Sequence, residues 1–152
     1  MNLHGCSLAA LLLYFGFADF SHAADCEVTD DEFFKQLRSM KEWSAIYAVF
    51  KRNLPACADD GVYAEGYTAA VADVLARRWS DLAQLQKLVS HDEAFRTFVY
   101  RHIDSTASKK DLQIVLHNAQ TKCALRFRRL CADIAARAQR ALDQQHNLSS
   151  AR

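Results

Sequence analysis

Turn formers are scarce in this chain. One proline and four glycines serve 152 residues, too few for an architecture of strands closed by Gly-containing hairpins. No run alternates apolar and polar residues in the way a half-buried strand requires. An excess of either charge is missing too: 19 Lys and Arg face 18 Asp and Glu. That balance gives no electrostatic footprint for nucleic acid or an anionic membrane, so neither is expected as a partner. The longest apolar run, Leu8 to Phe17, has ten residues; a membrane span needs about 20. No span is therefore expected in the mature chain.

Several chemical signatures are also absent. No G-x-S-x-G surrounds a serine, as a strained nucleophile turn would require. No C-x-x-C pair offers the close thiolate spacing of a structural zinc site, and no C-x-x-C-H offers haem attachment. Asp59, Asp60 and Glu65 lie around a glycine, but the alternating oxygens of a calcium loop are missing. No cofactor and no metal are expected.

What is present describes a folded domain. Hydrophobic residues make up 51% and charged residues 24%, a globular profile. At this length one domain is expected, burying roughly two-thirds of the surface its unfolded chain exposes. The run Leu8 to Phe17 is followed by Ser21 and Ala23, small residues at the −3 and −1 positions of a signal-peptidase site. We expect residues 1–23 to be an export signal and residues 24–152 a single helical domain in the periplasm or outside the cell. Cleavage removes Asp19 alone among the charged residues and takes the formal charge from +1 to +2.

Of five cysteines, Cys6 leaves with the signal, and Cys26, Cys57, Cys123 and Cys131 remain. An even number in an exported domain argues for two disulfides. Were residues 123–131 one straight helix, their Cα atoms would stand about 12 Å apart; a disulfide tolerates about 7 Å. Cys123 can reach Cys131 only if a turn lies between them. The pairing Cys26–Cys57 with Cys123–Cys131 is favoured, and crossed pairings stay open.

Helix starts follow one another. Thr29-Asp30-Asp31-Glu32 is a capping box predicting a helix to about Arg38. Ser39-Met40-Lys41-Glu42 starts a second helix or continues the first, and Trp43, Tyr47 and Phe50 fall on one face. Pro55 stops that element. Asp59-Asp60-Gly61 is a turn, followed by a helix to about Trp79. Ser80, Ser90 and Ser108 each stand at a further start. The last helix carries Leu130, Ile134, Ala138, Ala141 and Leu142 on its apolar stripe. Arg126, Arg129, Asp133, Arg137 and Arg140 form the opposite stripe, which is either a solvated face or a docking surface for an acidic partner. From about His146 the tail is expected to be disordered. The predicted fold is all-α: an irregular bundle of five to seven helices stapled by disulfides.

Two places invite a functional reading. His91-Asp92, with His102, is the one set from which a small hydrolase or metal-dependent enzyme could be built, although Asp92 has a sufficient role as a helix cap. His102 and His117 lack an i+4 partner for zinc. The other place is Asp59, Asp60, Tyr63, Glu65 and Tyr67, three acids and two tyrosines around Gly61 and Gly66. Gly66 inside a helix costs about 1 kcal/mol relative to Ala. That cost fits either close helix packing or a surface leaving room for a partner.

An export signal, a helical mature domain of this size, and disulfides together resemble small exported helical proteins of Gram-negative bacteria, among them the type VI amidase immunity proteins. The resemblance is one of architecture and carries over no residue. It implies a non-enzymatic periplasmic binding module, an immunity protein or inhibitor whose partner is a toxin or secreted enzyme. On this reading Asp59, Asp60, Tyr63, Glu65 and Tyr67 form the contact surface. A structural envelope protein is a third alternative.

Overall fold

The computed structural model describes residues 28–54 and 56–150. The expected signal segment, its cleavage site, Cys26 and Pro55 lie outside the described residues. Among those described, the chain forms seven α-helices and no strand. The helices are α1 (Asp30–Ser39), α2 (Trp43–Asn53), α3 (Gly61–Arg77), α4 (Leu82–His91), α5 (Glu93–Arg101), α6 (Lys109–Thr121) and α7 (Arg128–Ser150). Short 3-10 turns, Trp79–Asp81 and Leu125–Phe127, precede α4 and α7.

The caps explain most of these boundaries. The Thr29 hydroxyl accepts from the Glu32 amide, and the Ser108 hydroxyl from that of Asp111. Two expected starts move. The Ser39 hydroxyl turns back to the Gln36 carbonyl at 2.6 Å, so α1 ends there and α2 begins after Glu42. Ser90 likewise donates to the Lys87 carbonyl, α4 runs on to His91, and Asp92 caps α5 by accepting from the Phe95 amide at 2.9 Å. In both places a serine hydroxyl serves the helix it ends instead of the one that follows. Helix α7 keeps its helical form to Ser150, beyond His146 where the sequence pattern placed fraying.

Helix α3 is the centre of the bundle. It packs on α1, α2 and α6, and its second half is buried almost all round, from Tyr67 to Ala76. Gly66 explains how α1 comes so close. A Cβ there would stand 2.7 Å from Leu37 Cδ1 and 2.9 Å from Phe33 Cε1. The helix-weakening glycine is thus the point of contact between two helices. A chain of rings extends the core from there. Phe33 meets Tyr67 edge-on at 5.1 Å, Tyr67 meets Phe98 at 5.2 Å, and Phe50 bridges Phe98 and Phe95 at 5.1 and 5.2 Å. Each fully buried ring contributes about 1.5–3 kcal/mol of burial free energy, with a further edge-to-face term.

Polar atoms inside the bundle are spent on register. Asn53 donates to Gln36 Oε1 at 2.8 Å and to the Tyr67 hydroxyl at 2.9 Å, joining α2 to α1 and α3. Asn118 donates to the Ala76 carbonyl and ties α6 to the end of α3.

Helices α6 and α7 form a closely packed hairpin. The chain leaves the helical path between Thr121 and Arg128, which brings the Cα atoms of Cys123 and Cys131 to 6.2 Å and permits their disulfide. It is the one disulfide with both cysteines among the described residues. Cys57 is buried and its sulfur is engaged; Cys26, its expected partner, lies outside the described residues.

Candidate functional site

The segment expected to face a partner divides between core and surface. Tyr67 is 1% exposed and belongs to the aromatic core, so its side chain is not on the surface. Tyr63 lies beside it on the same side of α3, half-buried, with its ring 4.4 Å from that of Phe33. Its hydroxyl donates to Asp30 at 2.9 Å, which raises the phenol pKa because a nearby carboxylate opposes its ionisation. Asp59 is half-buried and committed to Arg101 and His102. Only Asp60 and Glu65, with Val62 between them, are open to solvent. Two tyrosines at i and i+4 do share a face, but it is the face that packs on α1. Nothing in the local spacing distinguishes that face from an outer one.

The residues of the enzyme alternative are not gathered into one place. His91 is exposed at the end of α4, with Nδ1 2.7 Å from the Lys87 carbonyl. Asp92 is engaged by the Phe95 amide, the Tyr47 hydroxyl at 3.0 Å and Lys51 at 3.3 Å. The amide bond foremost, and then the other partners against the cost of burial, hold its carboxyl below the usual range. His102 is 1% exposed. No group of three or more His, Cys, Asp or Glu residues that could hold a metal ion occurs among the described residues.

His102 has a polar setting of its own. Helix α5 ends at Arg101, so the following turn brings Asp104 back to the same point, a contact a continuous helix would forbid. The Thr68 hydroxyl donates to Asp104 Oδ2 at 3.1 Å, and its oxygen lies 3.0 Å from His102 Nδ1. On the other side Nε2 approaches Asp59 Oδ1 at 3.1 Å, but the two atoms are not aligned for a hydrogen bond. Burial lowers the imidazole pKa, against the pull of Asp59 and Asp104. Thr68 is 1% exposed, so this His, Asp and Thr set offers no nucleophile to a substrate. It locks the middle of α3 to the turn that follows α5.

A concavity lies elsewhere, between α4 and α5 on one side and α7 with the turn before it on the other. It is an open groove of about 900 Å³, within the size range of ligand sites. Its floor is built around Tyr100. The phenol donates to Asp133 at 2.9 Å, and Arg137 lies over the ring at 4.3 Å while donating to the Tyr100 carbonyl. Burial, then Asp133, pushes the Tyr100 pKa up to about 12. Arg96 and Arg101 stand on the α5 side, Arg126 and Arg129 on the α7 side. Against these five arginines the groove has two acids, Glu93 and Asp133, both already paired. Arg126 and Arg129 make no ion pair among the described residues. Arg101 links the groove to the expected surface, donating to the Asp59 carbonyl at 2.7 Å.

The turn carrying Arg126 also carries Leu125, which is 86% exposed. The Cys123–Cys131 bond closes the base of this turn. A large apolar side chain is therefore held out to water on the same turn that supplies Arg126 to the groove. The arginine stripe of α7 was legible in the sequence. Its meeting with Arg96 and Arg101 was not, since no local pattern says which helix packs opposite. Comparison with protein-family models, curated proteins and solved structures finds no match to this chain.

Proposed function

We propose that the mature protein is a non-enzymatic, exported binding module, of the immunity or inhibitor kind, that holds a protein partner. The observation that carries this reading is the clamped Leu125–Phe127 turn, with an exposed leucine near Arg126 and Arg129, which have no acidic partner among the described residues. A large exposed apolar side chain costs solubility, and a disulfide that immobilises it lowers the entropy lost on binding. Arginine and a central apolar anchor are the residue types on which protein interfaces most rely. The groups with catalytic potential, by contrast, are committed to the fold: Asp92 as a cap, and His102 and Thr68 as an interior lock. Asp60, Val62 and Glu65 extend the proposed surface beyond Arg101. The export signal, the periplasmic setting and a second staple through Cys26 and Cys57 belong to the same proposal.

The test is a pull-down from periplasmic extract with tagged mature protein beginning at Ala24. A single stoichiometric protein partner is expected, with a secreted enzyme whose activity falls on addition of this protein as the specific outcome for an inhibitor. Absence of any stoichiometric partner across growth conditions overturns the reading.

A further inference from the structure

We infer that the α5–α7 groove is the binding site for an acidic, extended segment of a protein partner. Carboxylates of that segment are held by Arg126, Arg129 and Arg96, and an adjacent apolar residue lies against Leu125. This inference rests on the binding-module reading and specifies its surface and the partner's chemistry.

Three features of the groove support it. The first is charge. The chain as a whole is nearly neutral, yet the groove holds five arginines against two acids. Both acids are satisfied internally, Glu93 by Arg96 and Asp133 by Tyr100. The unspent charge is thus on Arg126 and Arg129, with the outer edges of Arg96 and Arg101 beside them. Guanidinium groups pair with carboxylates through two parallel N–H···O bonds, which suits side chains projecting from a peptide.

The second feature is rigidity. Arg137 is fixed by the Tyr100 ring and carbonyl, and Tyr100 in turn by Asp133. A high phenol pKa keeps Tyr100 protonated and donating throughout the physiological range. On the opposite wall the disulfide bridges the two ends of the segment that presents Arg126, and the guanidinium of Arg126 lies 4.7 Å from the Phe127 ring centre. The Tyr100–Arg137 side and the backbone of the Leu125–Phe127 turn are therefore preorganised, and the ordering left on binding falls mainly on the exposed Arg129 side chain.

The third feature is Leu125, which decides between classes of polyanion. A nucleic acid or polyphosphate would gain nothing from an aliphatic side chain beside Arg126 and would meet Glu93 and Asp133 in the groove lining. A peptide offers carboxylates and an apolar side chain in one strand.

The probe is a fluorescently labelled decapeptide of repeated Glu-Asp-Leu, followed by fluorescence polarisation with the full mature protein. A decapeptide with Lys in place of every acid and a labelled decathymidylate serve as controls. We expect saturable binding of the acidic peptide alone, weakened severalfold by raising salt from about 50 to about 300 mM as screening sets in. Arg126→Ala and Arg129→Ala should each weaken it about tenfold, the scale of one charge-assisted contact. Leu125→Ser should weaken it while leaving its salt dependence unchanged. Arg129→Glu guards against a neutral replacement that is merely tolerated, and should abolish binding with the melting temperature unaltered. Equal or tighter binding of decathymidylate overturns the inference in favour of a general polyanion site. So does acidic-peptide binding that survives both Arg126→Ala and Arg129→Glu, and so does no binding of the peptide. The pull-down separates the two levels. A partner captured equally by wild type and the Arg126→Ala, Arg129→Ala double variant refutes this surface but keeps the binding module. Capture of no partner removes the module itself.

Discussion

His102 makes the stability of this protein depend on pH in a direction that tests the reading of its setting. The imidazole is 1% exposed and its pKa lies below the ordinary value of 6.5, chiefly through burial. Asp59 and Asp104 oppose that shift and Arg101 adds to it; the rings of Phe98 and Tyr67 complete the enclosure at 4.4 and 5.6 Å. A base with a depressed pKa in the fold binds fewer protons there than in the unfolded chain. Stability is then fully present above the unfolded pKa and declines as pH falls below it. If the folded state excludes the proton altogether, lowering the pH from about 7.5 to about 5.5 removes about 1.4 kcal/mol. For a domain of this size that lowers the melting temperature by roughly 3–6 °C. The assay is urea or thermal unfolding of the mature protein at both pH values, repeated on His102→Gln. Gln keeps a polar side chain of similar reach but does not titrate. The variant will be less stable throughout, and the quantity that matters is the pH slope, in which the exposed histidines and the carboxylates cancel. The wild type should lose more stability than the variant over this interval, by up to the figure given. An equal loss would refute the argument. A wild type that gains stability relative to the variant as pH falls would show that Asp59 and Asp104 outweigh burial and that the imidazolium is the native form.

The other predictions concern packing and caps. Replacing both Cys123 and Cys131 with Ala should cost about 2.5 kcal/mol from loop entropy alone, measured by denaturant unfolding of the variant against wild type. Gly66→Ala gains about 1 kcal/mol of helix propensity but must displace Leu37 and the buried Phe33 ring, an overpacking cost of about 1–3 kcal/mol. We expect a net loss in thermal melts, and a stabilised variant would show that α1 yields freely. Asp92→Ala should cost about 1–2 kcal/mol through the lost cap of α5, whereas His91→Ala, at an exposed site, should change stability by less than about 0.5 kcal/mol. Because the Asp92 pKa is depressed in the fold, its contribution is present above the ordinary value of 3.8 and fades as pH falls below it. Acid unfolding of wild type and Asp92→Ala should accordingly converge at low pH.

Local chemistry determined the elements of this protein. Hydroxyl caps at Thr29 and Ser108, the apolar period of α7 and the absence of turn formers are properties of short windows, and the all-helical class followed from them. The condition for the Cys123–Cys131 bond was also local, because chain geometry demands a turn that residues 122–127 supply. Only packing decided the rest. Tyr63 and Tyr67 read equally well as an outer or an inner face, and Gly66 resolved the choice by admitting α1 to within reach of α3. Asp104 joined His102 because α5 ends at Arg101, a boundary that the surrounding residues do not announce. The arginines of α7 stood out as a stripe, but a stripe becomes a groove only when a second helix supplies the opposite wall. That wall, Arg96 and Arg101 on α5, lies more than twenty residues away along the chain, beyond the range at which helical periodicity carries information.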